Sequence, residues 1–522
     1  MQTDYHARGR ESRTEWAQGL RILGAVFPAG LYIGAAGYYD GGMQISTAHS
    51  VRTAEKAAFD SGATTSSALM DAVVERIWQA LQGEMPLPFT PRRVVVYAGT
   101  GNNAGDAVGL AARFHCPVVL RHAAADTRVS PETARQMRLL EGRALSTQPP
   151  APLADTLVID GLLGSGARGE LSAEYAVCVQ ELNALRDTCP RSFTLAIDIP
   201  TGLGGAAPVR ADATVAIGCV KPEMLADGAE DAVGRLCCIP LPEVEIPVDC
   251  ADTVLGPGHP LVHLPRRPYS LFKNRAGRVA IVAGSPGYLG AAQMCAESAL
   301  HAGAGLVALY CKRETYPLLA ARVAPEVMVR AVDSYAEIAE PQAQCLLIGP
   351  GLGSVEPAEE EALHTLAMAF PGTVVLDADG LNLAAAHGWA FDSRFILTPH
   401  PGEMRRLDPR PAAPRREVVS RFLELHPCTL LLKGARTLVA DRTQACYNST
   451  GGPFMANGGQ GDTLAGCIAA LAAGGCAPLH AAALGAYACG LAAEQARRTT
   501  AAPAVRPTAV AAGLPSVLGS LG

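Results

Sequence analysis

Asn457-Gly458-Gly459-Gln460-Gly461-Asp462-Thr463-Leu464-Ala465-Gly466 is the stretch on which the reading of this chain turns. Closely spaced glycines lead into an alanine- and leucine-rich helical pattern, with one carboxylate at the junction. Such a junction aims backbone N–H groups out of a helix N-terminus, a natural seat for phosphate. Asp462 would stand beside that seat, placed to take a proton from a hydroxyl in transit to phosphate. A plain helix start capped by Gly and Asp gives the same letters. The stretch is therefore weighed with the loops that precede it.

Working outward, short apolar runs alternate with helical patterns. Strands are expected at Val279–Ala283, Leu306–Tyr310, Cys345–Ile348, Thr373–Leu376, Phe395–Leu397 and Thr429–Leu432, with a helix over Ala291–Ala302. Five of these strands run into Gly-rich or polar loops: Gly284–Gly290, Gly349–Gly353, Asp377–Asn382, Thr398–Glu403 and Lys433–Thr437. Singly each is weak. Pro-Gly turns are common, a lone His400 suits a structural histidine, and a lone Lys433 suits a solvated charge. In a parallel sheet all would lie along one edge, and polar loops gathered there read as a site.

The N-terminal half repeats the alternation. Strands are expected at Arg93–Ala98, Cys116–Leu120, Thr156–Ile159, Phe193–Ile197 and Thr214–Gly218. The loops carry Asn102, Asn103 and Asp106, then Asp160 to Gly166, Asp198 to Leu203, and Lys221-Pro222. Amide and carboxylate oxygens so grouped suit a hard cation or a ribose–phosphate. Asx turns and helix caps explain each one singly. Residues 240–268 hold seven prolines and no periodicity, a connector. Two α/β domains with mostly parallel sheets are expected, over 43–239 and 269–522.

The balance of the 522 residues narrows the function. A net charge of −6 argues against a basic nucleic-acid face. Fifteen cysteines without a C-x-x-C pair fit neither a secreted disulfide framework nor a zinc site, and suit reduced thiols in the cytoplasm. Arg8, Arg10, Arg13 and Arg21 precede an uncharged run from Ile22 to Tyr39, but Pro28 and glycines break it and Glu11 and Glu15 spoil its basic flank. Residues 1–42 are expected to be an extension ahead of a working start at Met43, not an anchor.

The C-terminal half resembles the dehydratase domain of the bifunctional NAD(P)H-hydrate repair enzymes, a ribokinase-like α/β fold. The resemblance runs in order through Gly284–Gly305, Pro325-Glu326-Val327-Met328, Gly349–Gly353, Leu376–Asn382, Thr398–Glu403, Lys433–Thr437 and Asn457–Gly466. It implies nucleotide-dependent removal of water from the S epimer of hydrated NADH or NADPH, with ADP or ATP and Mg²⁺. Lys433, Gly434, Ala435, Arg436, Thr437 and Gly461 would then hold the nucleotide. Ala291, Gly351, Gly353 and His400 would touch the hydrate, and Asp462 would be the base. Gln460 stands where the family has Thr or Ser.

The N-terminal half resembles the same family's epimerase domain, a Rossmann-like three-layer fold that interconverts the R and S hydrates. The resemblance implies potassium at Asn103, Asp160 and Thr201. It implies hydrate contacts from Asn102, Asn103, Ala104, Gly105, Asp106, Gly164, Ser165, Gly166, Ala167, Arg168 and Asp198, with Asp198 transferring a proton. The family's loop is Gly-rich where this chain has Ala104 and Ala107. If either position needs positive φ, alanine costs about 1 kcal/mol or more and the epimerase is impaired. The family's Met-Glu-Asn-Ala-Gly stretch stands here as Met70-Asp71-Ala72-Val73-Val74. The resemblance also implies a cytoplasmic homo-oligomer acting on a small molecule, with neither nucleic acid nor membrane as partner. A ribokinase-like kinase of a vitamin alcohol and a nucleotide-binding sensor are the competing readings.

Overall fold

A computed structural model describes residues 42–123, 129–141, 150–167, 169–500 and 502–522. The expectations for residues 1–41 and for Arg168 lie outside the described residues. The described residues belong to one unit.

The strands are β1 (Met43–Gln44), β2 (Arg93–Ala98), β3 (Val118–His122), β4 (Thr156–Gly161), β5 (Ser192–Ile197), β6 (Ala213–Ile217), β7 (Arg235–Ile239), β8 (Thr253–Val254), β9 (Arg278–Val282), β10 (Leu306–Lys312), β11 (Val327–Val332), β12 (Cys345–Ile348), β13 (Thr373–Leu376), β14 (Phe395–Leu397), β15 (Thr429–Leu432), β16 (Leu438–Ala440) and β17 (Ala445–Tyr447). They form two sheets. The N-terminal one runs β3-β2-β4-β5-β6-β7 and is parallel throughout. The larger runs β1-β8-β17-β16-β15-β14-β13-β12-β9-β10-β11. It is parallel from β15 to β11 and mixed at its other edge.

Alternation explains why these runs form strands with both faces covered. Val94, Val96 and Ala98 pack on one side of β2, with Leu69, Val73 and Ile77 of the helix Ser66–Gln82. Val95 and Tyr97 pack on the other side, with Cys178, Val179 and Leu182. Every second residue faces a different helical layer, which is the pleat of a strand buried twice. This is the expected α/β class, three-layered in the N-terminal half. The C-terminal arrangement fits the ribokinase-like expectation. The proline-rich stretch holds one strand, β8, which pairs with β17 and carries β1 beyond it.

Chain direction reverses once in each sheet. From β2 the chain moves to β3 and then returns to β4 on the other flank, and from β9 it moves out to β10 and β11 before returning to β12. Ligands in open α/β sheets bind beside such reversals, at the carboxyl ends of the strands.

Ala104 and Ala107 do not carry the expected strain. Both lie inside the helix Asn102–Ala112, and neither is among the positive-φ residues. The space around that helix is tight elsewhere. A Cβ on Gly109 would lie 2.7 Å from Cγ2 of Val74, the position where the family has glycine. The glycine at 109 thus makes room for the valine at 74. Gly109→Ala is expected to destabilise the N-terminal half by about 1–3 kcal/mol, with much of the loss restored by Val74→Ala. Urea unfolding followed by circular dichroism checks it. Equal losses in the single and double variants would remove the compensation.

Candidate active sites

The C-terminal site is assembled from strand ends around an ion pair whose aspartate is buried and whose lysine is partly exposed. Lys433, just past β15, donates to Asp377 Oδ1 at 2.7 Å, and Asp377 sits just past β13. Thr398, past β14, donates to the same oxygen at 2.8 Å. Burial disfavours the Lys433 ammonium, but Asp377 and Glu403 more than reverse this and raise its pKa. Glu403 lies 3.8 Å from the ammonium and accepts from the His400 backbone N–H at 2.7 Å. The His400 ring accepts from Gly402 N–H at 2.9 Å through Nδ1, closing the start of the helix Pro401–Leu407.

The helix Gln460–Ala473 points its N-terminus at this pair. A Cβ on Gly461 would lie 3.5 Å from Lys433 Nζ and 3.6 Å from Asp377 Oδ2. Gly459, at φ +98°, turns the chain into the helix. Burial pushes the Asp462 carboxyl up to about 6, with Asp377 and Asp379 adding to the rise and Lys433 opposing it. A carboxylate so tuned is mostly ionised near neutrality yet still basic enough to accept a proton.

Ala291, Gly351 and Gly353 come together on the β9–β12 reversal. A Cβ on Gly351 would meet Tyr288 and Ala291 at 2.9 to 3.0 Å, and one on Gly353 would meet Ser285 Oγ at 2.9 Å. Both glycines adopt positive φ. Gly353 N–H donates to Asp379 Oδ2 at 2.9 Å, which ties this loop to the β13 loop. Between Asp377 and Asp379, Ala378 is held at φ +48°, a strained conformation that over-determined sites tolerate.

The Gly434–Thr437 loop divides its contacts. Thr437 Oγ1 donates within the loop to Gly434 O at 3.1 Å. Arg436 donates to Gly234 O of the N-terminal half at 2.9 Å. Gln460 likewise donates to Asn457 Oδ1 and Val505 O, at 3.0 and 2.9 Å, fixing the loop before the helix.

The N-terminal site is built the same way. Asp160, at the end of β4, is fully buried. Its oxygens accept from Thr201 Oγ1 and Thr201 N–H, each at 2.8 Å, and from Leu162 N–H at 3.2 Å. Burial pushes its carboxyl up to about 6 despite these bonds. Asn103 has a buried side-chain amide whose oxygen and nitrogen find no partner. Carboxylate, hydroxyl and an orphaned amide oxygen make a hard donor set, and these residues fit potassium.

Gly164 lies between Asn103 and Asp198. A Cβ there would be 3.1 Å from Asp198 Oδ2 and 3.4 Å from the Asn103 side chain. Asn102, Asn103, Ala104, Gly105 and Asp106 form the opening turns of the helix Asn102–Ala112, and Gly164 to Ala167 form the loop after Leu163. Asp198, at φ +67°, accepts from Ser165 N–H at 2.8 Å and pairs with the buried Lys221. Burial alone would raise its pKa, but the Lys221 ammonium and Ser165 more than reverse that.

Two groups at this site escaped the sequence reading. Glu55, from the helix Ala48–Asp60, is pushed up by burial and by Asp198. One turn earlier, Arg52 donates to Ser165 O at 3.2 Å, so this helix closes over the loop. Asp106 is held well above its ordinary value by burial and by Asp198 and Glu55. Removing the buried Lys221 ammonium should therefore be costly. Lys221→Met is expected to destabilise the protein by about 3–5 kcal/mol, and Lys221→Met with Asp198→Asn by less than the two single losses summed. Denaturant unfolding of the single and double variants measures this, and strict additivity would show the pair to be uncoupled.

Comparison with known proteins gives concordant matches over both halves. Residues 279–516 match the family described as NAD(P)H-hydrate dehydratase, and residues 66–223 that described as YjeF-related protein N-terminus. The chain is 32% identical over 495 residues to the bifunctional NAD(P)H-hydrate repair enzyme Nnr of Moorella thermoacetica, covering 86% of this chain and 91% of that protein. It is 34% identical over 475 residues to the enzyme of the same name from Escherichia coli, covering 86% and 88%. Among solved structures, the ADP/ATP-dependent NAD(P)H-hydrate dehydratase of Bacillus subtilis aligns with 51% of this chain and 96% of its own, at 27% identity and a TM-score of 0.45. The chain therefore belongs to the family of bifunctional NAD(P)H-hydrate repair enzymes.

Proposed function

We propose that the C-terminal site dehydrates the S epimer of NADH or NADPH hydrate at the expense of a nucleotide, ADP before ATP, and that the N-terminal site interconverts the R and S epimers. The carrying observation is the convergence of Lys433, Asp377 and Gly461 at the helix mouth that bears Asp462.

Hydroxide leaves a ring carbon poorly, and phosphate leaves well. The terminal phosphoryl of the nucleotide passes to the hydroxyl oxygen of the hydrate as Asp462 takes the hydroxyl proton. The carbon–oxygen bond then breaks, phosphate departs with the bonding pair, and loss of a proton from the adjacent ring carbon forms the double bond. Helix N–H groups at Gly461 and the Lys433 ammonium face the phosphoryl. Gly434 to Thr437 line the nucleotide, with Arg436 acting through its backbone. Ala291, Gly351, Gly353 and His400 line the hydrate. Mg²⁺, when bound, would offset the charge of the nucleotide's phosphates.

Epimerisation needs the hydroxyl to leave as water, aided by the ring nitrogen, and water to return from the opposite face. Asp198, held ionised by Lys221, stabilises the ring cation and takes the proton that the returning water sheds. Asp106 and Glu55, whose pKa values are raised, hold the proton that the leaving hydroxyl requires. Asn103, Asp160 and Thr201 would hold potassium, which supplies a fixed positive charge beside the hydrate when bound. The same reading makes the protein a cytoplasmic homo-oligomer. No helix among the described residues is long and apolar enough to cross a membrane.

The test supplies R and S NADH hydrate together with Mg²⁺, K⁺ and ADP or ATP, and follows recovery of dihydronicotinamide absorbance. Recovery of both epimers, faster than their spontaneous exchange, is expected. Recovery of the S share alone would remove the epimerase, and a stable phosphorylated product would favour the kinase. Asp462→Asn should cut kcat by about 10²–10⁴-fold while ADP still binds. Because the base acts ionised, wild-type kcat/KM should fall in proportion to added protons below about pH 6, and this limb should vanish from the residual rate of Asp462→Asn.

A further inference from the structure

The loop assigned to the nucleotide is not supported by the C-terminal half alone. Arg415, first residue of the helix Arg415–Leu425, donates from its NH1 to Ala435 O in that loop at 2.8 Å. The same guanidinium donates to Glu230 Oε1 at 3.0 Å and pairs with Asp227. The backbone N–H of Arg415 also donates to Asp227, at 2.8 Å, so a carboxylate from the N-terminal half caps a C-terminal helix. One residue past Ala435, Arg436 is held at φ +54° with its guanidinium on Gly234 O. Gly234 is itself fixed, since a Cβ there would lie 2.4 Å from the carbonyl oxygens of Ala211 and Asp212. Two adjacent loop residues are thus pinned from one turn, Asp227–Gly234, on the other half.

We propose that this turn is a working wall of the nucleotide pocket, with Arg415 and Arg436 as positioning residues that shape the Gly434–Thr437 loop for a nucleoside diphosphate or triphosphate. The inference rests on the reading that this loop binds the nucleotide. A loop held at two points loses less freedom when ligand arrives, so the pinning favours affinity over chemistry. The coupling is reciprocal: nucleotide binding tightens the contact between the halves.

The test uses the full chain and Asp227→Ala/Glu230→Ala, neither of which is among the reacting side chains of either site. Calorimetry with ADP should show binding weakened about ten-fold, within the usual range of coupling between sites. Nucleotide KM should rise in step, while kcat, hydrate KM and the epimerase rate stay unchanged. Arg415→Lys should retain more ADP affinity than Arg415→Ala, because it keeps the charge facing Asp227. In the unaltered chain, ADP should slow amide exchange across Asp227–Gly234. Unchanged ADP affinity in the double variant would overturn the inference. If the double variant misfolds, Asp227→Asn alone carries the same comparison. Failure of the unaltered chain to bind ADP would instead overturn the nucleotide reading.

Discussion

A parallel strand cannot be followed directly by its neighbour. The chain must cross back over a face of the sheet, so every strand ends on the same edge. Both halves of this protein depend on that constraint. With helices covering the faces, the carboxyl edge is where the backbone stays irregular and polar. Each sheet reverses direction once, and there two crossovers diverge and leave a gap. Asn103 and Asp160 flank the gap in one sheet, and the glycine loops around Gly287 and Gly351 flank it in the other.

Both sites repeat one electrostatic arrangement. A lysine pairs with a strand-end aspartate in each: the buried Lys221 with Asp198, and the partly buried Lys433 with Asp377. The Lys221 ammonium holds Asp198 ionised, and in each site the paired aspartate bears on a further carboxyl. Asp106 and Asp462 occupy this second position, and both are pushed upward. In the N-terminal site one cation thus separates two carboxyls into a fixed charge and a titrating group, as acid–base chemistry near neutrality needs.

How much of this the sequence reveals depends on the distance over which each feature is determined. Strands such as Arg93–Ala98 and Cys345–Ile348 announce themselves because their own side chains meet two helical layers. The two-residue strands Met43–Gln44 and Thr253–Val254 do not, because partners far along the chain make them. β7 and β11 went unread beside the clearer runs, as did the β16–β17 hairpin. Asp462 stands out by its glycine neighbours. Glu55 does not, since a charge on an amphipathic helix looks solvated until the fold turns it inward. Arg415 is further from view, its carboxylate partner lying 188 residues away. Ala104 and Ala107 mislead in the opposite sense: a glycine-rich family pattern suggests left-handed backbone, whereas both positions are helical and glycine is needed at 109 instead.

The pairing of Met43–Gln44 with Thr253–Val254, and of those with Cys446–Tyr447, bears on the order in which the molecule is completed. During synthesis the six-stranded sheet can close once Ile239 has emerged. The first strand of the described chain must then wait for a second partner from its middle and a third from near its end. The edge of the larger sheet is thus among the last parts to form, and it is built from segments that no local contact brings together. Until then the early strand is an unpaired edge in a growing chain, and its two-residue length limits what it can wrongly adhere to.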